Sequence, residues 1–166
     1  DHRDLHSFPT RRSSDLLVQW LESQLSSAPA DSPQQLRLLR DRALVLLGFW
    51  RGFRGDELCR LQVEHIAITP GQGIELYLPR SKGDRAAQGM TYRTPALQHL
   101  CPVEACQQWL TISGLTQGAL FRKLDRWGHI SEQGLHINSI LPLLRDLFLR
   151  AGLSMPDTYS SHSLRR

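Results

Sequence analysis

Residues 65–97 read HIAITPGQGIELYLPRSKGDRAAQGMTYRTPAL. Their texture differs from everything around them. Apolar and β-branched residues alternate over His65–Thr69, Ile74–Pro79 and Met90–Thr94, the period-two signature of strands packed on one face. "PGQG" (70–73) and "SKGDRAAQG" (81–89) supply the Gly and Pro that turns need. Three strands joined by short connections predict an antiparallel meander. The flanks carry helical periods instead, so the expected class is mainly α with a small three-stranded antiparallel sheet (α+β).

N-terminal to the sheet, "RGFRGDEL" (51–58) breaks a helical pattern at Gly52 and Gly55 and begins another over Asp56–Leu61. Before it, Gln34–Trp50 predicts a helix whose second half is apolar nearly all round, which marks a central core helix. Ser32 or Asp31 can cap it, with Pro33 in the first turn. "SSAPADSP" (26–33) reads as a linker or turn, and Leu16–Leu25 as a short amphipathic helix with Leu17, Trp20, Leu21 and Leu25 on one face. C-terminal to the sheet, Pro102 opens a helix to Ile112, stopped at Gly114. "ALFRKL" (119–124) is extended, and "RWGHISEQGL" (126–135) reads as a loop. His136–Ala151 predicts a long helix with Ile137, Ile140, Leu141, Leu144, Leu147 and Phe148 inward, ended by Gly152. Ser160 and Ser161 can cap one more helix starting at His162.

The chain has 166 residues, 40% hydrophobic and 22% charged, an ordinary composition for a globular domain. Its net charge of +4 permits a polyanionic partner without requiring one. Cys59, Cys101 and Cys106 form no paired framework, which fits a reducing compartment. His99, Cys101 and Cys106 lack metal-ligand spacing and read as a histidine and two buried thiols. No metal and no cofactor are expected. The longest apolar run, Ala43–Trp50, is too short to span a bilayer, so no membrane partner is expected either.

The opening "DHRDLHSFPTRRSSDL" (1–16) has neither a starting Met nor an apolar period. Written back as codons, it resembles a widely used short-read sequencing adapter along its whole length. The alternative is a basic DNA-binding arm. The expected organisation is therefore a translated adapter at 1–16 followed by one globular unit. Removing 1–16 takes away three Arg and three Asp and leaves the charge unchanged.

Three places hold polar residues that a core does not call for. Arg54 lies between two apolar helices, with Glu57 one turn on; a local Arg–Glu pair is the plain alternative. Lys82 sits in the "RSKGDR" connection, where a solvated turn lysine is the ordinary case. His162 and Arg165 share one face of a helical turn at the chain's end. Together, two guanidiniums, a lysine and a histidine suit a phosphodiester. Guanidiniums bind phosphate oxygens bidentately and remain charged. They stabilise the charge that develops in a pentavalent transition state, while His and Lys move protons.

The ordered set "GFRGDEL", "SKGD", "HSLRR" resembles the catalytic domain of tyrosine site-specific recombinases, the phage-integrase family, over about 43–166. The resemblance implies that 17–31 is the end of a core-binding domain or a linker, and that 32–166 is a recombinase catalytic domain incomplete at the C-terminus. It implies that Arg54 and Arg165 clamp the scissile phosphate, that His162 assists proton transfer, that Lys82 protonates the leaving 5′ oxygen and that Glu57 braces the site. In that family a Tyr after His-x-x-Arg attacks the phosphate and forms a 3′-phosphotyrosyl link. Here Tyr77 and Tyr92 fall in strands as packing residues, and Tyr159 precedes His162. No nucleophile is therefore expected in this chain, and the chain itself is expected to be inactive. The implied partners are double-stranded DNA and further copies of the parent protein, as a tetramer on DNA. The implied location is the bacterial cytoplasm, at the nucleoid. Two alternatives stay open: a non-catalytic DNA-binding remnant of a decayed integrase, and a helical protein-interaction domain with no DNA role.

Overall fold

The computed structural model describes residues 2–79 and 88–155, with side chains described for 13–48, 52–79 and 88–155. Five α-helices are seen among them: α1 (His2–Ser27), α2 (Pro33–Arg51), α3 (Gly55–Arg60), α4 (Pro102–Ser113) and α5 (Ile137–Arg150). Strands β1 (Ile66–Thr69), β2 (Gly73–Leu78) and β3 (Met90–Pro95) form one antiparallel sheet in that order. A second, two-stranded ribbon pairs β4 (Arg122–Leu124) with β5 (Ile130–Gly134).

The centre of the fold is α2. Ser32 caps it by accepting the Gln35 amide at 3.1 Å, and Pro33 occupies the first turn. Ala43, Leu44, Val45 and Leu47 are fully buried, because α1 packs along one side of α2 and α4 along another. From α4, Trp109 is fully buried, and its indole N–H donates to the Leu120 carbonyl at 2.8 Å. That bond fastens the approach to β4 onto the helical core. α4 ends at Gly114, in the left-handed conformation at φ 69°.

The sheet follows its sequence pattern. β2 lies in the middle, and its Ile74, Leu76 and Leu78 face the core while Glu75 and Tyr77 face out. Glu75 opposes Arg93 across the register, and the two form an exposed ion pair at 2.6 Å. Such a pair contributes little to stability in water. His65 belongs to a single 3-10 turn, so β1 begins one residue later than expected, at Ile66.

Two regions correct the sequence reading. α1 runs back to His2, well before the expected start at Leu16. Leu17, Val18 and Leu21 are fastened on α2, and a helix with an anchored nucleus propagates at one hydrogen bond per residue even where the sequence has no apolar face. The supposed loop 126–135 contains β5. Its side chains are only half-buried or exposed, so no apolar alternation announces it. In α5, Ile140, Leu144, Leu147 and Phe148 are buried as expected, whereas Ile137 and Leu141 are half-buried. Among the described residues, no helix is long and apolar enough to cross a membrane.

Candidate functional site

The turn between α2 and α3 is built to present one arginine. Gly52, at φ 62°, takes the left-handed conformation that lets the chain leave α2. Phe53 turns inward, almost wholly buried, and meets Tyr92 of β3 edge-on with ring centroids 4.9 Å apart. Arg54 then stands at the N-cap of α3 with extended backbone, φ −73° and ψ 157°. Its carbonyl accepts the Leu58 amide at 3.0 Å and so starts the helix.

Glu57 closes the turn from the other side. It is 3% exposed, and its Oε1 accepts the Arg54 amide at 2.9 Å. This is the reach-back half of a capping box. The expected local Arg–Glu pair therefore exists through the Arg54 main chain. Among the described residues no ion pair involves the Arg54 guanidinium. Its Nε is shut off from solvent and has no hydrogen-bond partner. A shielded donor on a permanent cation, held in a braced turn, is costly when left alone. It is correspondingly ready for an anionic oxygen.

The same packing brings the sheet to this turn. Phe53–Tyr92 joins it to β3, and Arg60 at the end of α3 donates to the Pro79 carbonyl at 3.1 Å, just past β2. Lys82, His162 and Arg165 lie outside the described residues, as does Tyr159. Tyr92 is a packing residue, as expected. Tyr77 is 38% exposed and donates to the Gln88 carbonyl at 3.2 Å, with His65 edge-on to its ring. Cys101 and Cys106 are buried and Cys59 half-buried, all as free thiols.

Sequence reading passed over the charged residues within α2. Arg40 and Asp41 are both buried and paired at 2.9 Å, and Arg40 also donates to the Arg122 carbonyl at 3.0 Å. Burial pushes the Asp41 carboxyl up, against the pull of Arg40. The signal was present: "RDR" (40–42) interrupts the face of α2 that must be apolar. Arg42 reaches the Gln108 side chain on α4, and its Nε is also buried without a partner. A mixed-charge cleft of about 450 Å³ beside it is lined by Glu22, His99, Cys101 and Glu104. That cleft does not reach Arg54.

No family model matches the chain. Among curated proteins it is 33% identical, over 135 residues, to an integrase/recombinase xerD homolog of Selenomonas ruminantium. The match covers 80% of this chain and 39% of the relative, so the chain spans well under half of that protein. Among solved structures it superposes on the XerH site-specific recombinase bound to difH substrate in a pre-cleavage complex. There the TM-score is 0.54 at 14% identity, over 89% of this chain and 38% of that one. The post-cleavage complex of XerH with palindromic difH gives a TM-score of 0.56 at 14% identity, over 90% and 38%. The structural matches carry the fold and the sequence match carries the kinship, and by both the chain belongs to the tyrosine site-specific recombinase family.

Proposed function

We propose that this chain is part of a DNA site-specific recombinase that breaks and rejoins strands through a 3′-phosphotyrosyl intermediate. The observation that carries the reading is Arg54, a guanidinium with a shielded, unpartnered Nε in a turn braced by Glu57. Placed against a scissile phosphate, it would bind non-bridging oxygens and hold them as negative charge develops. Glu57 acts on the main chain of Arg54, so its part is positioning. Arg165 would supply the second guanidinium, His162 would assist proton transfer, and Lys82 would protonate the departing 5′ oxygen. Neither a metal nor a cofactor has a role in this scheme.

The partner is double-stranded DNA, and the parent protein works as a tetramer on it, in the bacterial cytoplasm at the nucleoid. The solved relatives with difH substrate support the choice of DNA. We place no nucleophile in this chain: Tyr77 and Tyr92 are committed to the sheet, and Tyr159 precedes His162 in sequence. The chain alone should therefore bind duplex DNA without cutting it. Incubation with a nicked duplex, followed by denaturing electrophoresis, should yield no covalent protein–DNA product. An adduct at any of the three tyrosines would overturn the assignment.

A further inference from the structure

At the opposite end of α2 from Arg54, about 30 Å away along the helix and its turn, lies a second cleft of about 380 Å³. It is lined by Ser32, Pro33 and Gln34 at the start of α2, by Arg37 one turn on, by Arg126 from the β4–β5 ribbon and by Arg150 from the end of α5. Three arginines from three separate elements thus line one concavity.

Each has its own local anchor. Arg37 donates to the main-chain carbonyl of Asp125 at 3.2 Å. Arg126 lies over the Trp127 ring, 4.3 Å from its centroid, and Trp127 is 63% exposed. Arg150 lies 5.5 Å from the centroid of Trp20 and, among the described residues, forms an ion pair with Asp146 at 3.5 Å. Asp125 accepts the amides of Trp127 and His129 and contacts the His129 ring. Asp41 is paired with Arg40 and also attracts Arg37 and Arg150, so it offsets part of their charge. The first turn of α2 adds the positive end of a helix dipole.

We propose that this cleft is a phosphate-binding site separate from the one at Arg54. A carboxylate offers two oxygens and one charge. A phosphate group offers three or four oxygens and up to two charges, which suits three guanidinium forks around one cavity. The two sites lie at opposite ends of α2, too far apart for one phosphate group to touch both. The ligand is therefore either a free phosphate ester or a stretch of DNA backbone other than the phosphate at Arg54. The proposal does not depend on the role given to Arg54.

The test uses the full chain at constant ionic strength and follows tryptophan fluorescence. Sodium pyrophosphate and a 20-base-pair duplex are titrated in separate arms. Arg126→Glu is the main variant, since the interaction seen for Arg126 among the described residues is its stacking on Trp127; a thermal melt checks its fold. Arg126→Ala/Arg150→Ala is the second variant. The expected result is saturable binding weakened at least tenfold in both variants, with pyrophosphate binding unchanged in Arg54→Ala. A pyrophosphate response identifies free phosphate as a sufficient ligand. A response to duplex alone, weakened in Arg126→Glu, assigns the site to a DNA backbone. If both ligands bind wild type and Arg126→Glu equally, or neither binds, the proposal is overturned. It is also overturned if hexaglutamate binds while neither phosphate ligand does. Duplex binding lost in Arg54→Ala, with both duplex and pyrophosphate binding intact in Arg126→Glu, would overturn this site alone and leave the Arg54 reading standing.

Discussion

The Arg54 guanidinium depends on a carboxylate that never touches it in the described contacts. Glu57 accepts the Arg54 amide from a buried position, so removing it orphans a main-chain donor at the start of α3. Glu57→Ala should destabilise the chain by about 1–2 kcal/mol in urea denaturation. Glu57→Gln, which keeps an acceptor oxygen, should cost clearly less; equal losses would show that the cap is not the source. The thiols give a second residue-scale expectation. Burial pushes Cys59 up to about 11 and Cys106 up to about 12. At pH 8 the thiolate fraction of Cys59 is then about one in a thousand, and that of Cys106 about ten times less. Site-resolved mass spectrometry after iodoacetamide treatment at pH 8 should find both unmodified in the native chain and alkylated in denaturant.

The elements were legible where one physical signal governed them. α2 carries its cap, its proline and its apolar face in plain sequence, and β2 carries a strict alternation. The β4–β5 ribbon was only half legible. Its β5 strand lies half-exposed, and its turn is set by the Asp125 carboxylate and by Gly128 at φ 86°. Neither leaves a periodic trace. The segment leading into the ribbon is held by long-range main-chain bonds, Leu120 to Leu61 at 2.9 Å and Val63 to Gly118 at 2.8 Å, which local sequence does not encode. A Cβ on Gly128 would meet Pro33 at 3.3 Å in addition to the left-handed strain, whereas one on Gly114 would meet open space. Gly114→Ala should therefore cost about 1 kcal/mol and Gly128→Ala more, about 2 kcal/mol, by thermal denaturation. If the two cost the same, the ribbon's turn does not rest on α2.

At the scale of the whole molecule, α2 joins two cationic ends. One is the braced Arg54, which the motif order in the sequence pointed to. The other is the Arg37–Arg126–Arg150 cleft, which only folding assembles, because its residues are scattered over more than a hundred positions. The local Arg54–Glu57 contact was legible because seven contiguous residues, 52–58, form both the turn and its brace. The most direct test of the central claim is the salt dependence of duplex binding by the wild-type chain and by Arg54→Ala. A guanidinium that contacts a phosphate contributes about one unit to the slope of log affinity against log salt. The account predicts a steep slope for wild type and one shallower by about one unit for Arg54→Ala. Binding that is indifferent to salt, or a slope unchanged by the substitution, would contradict it.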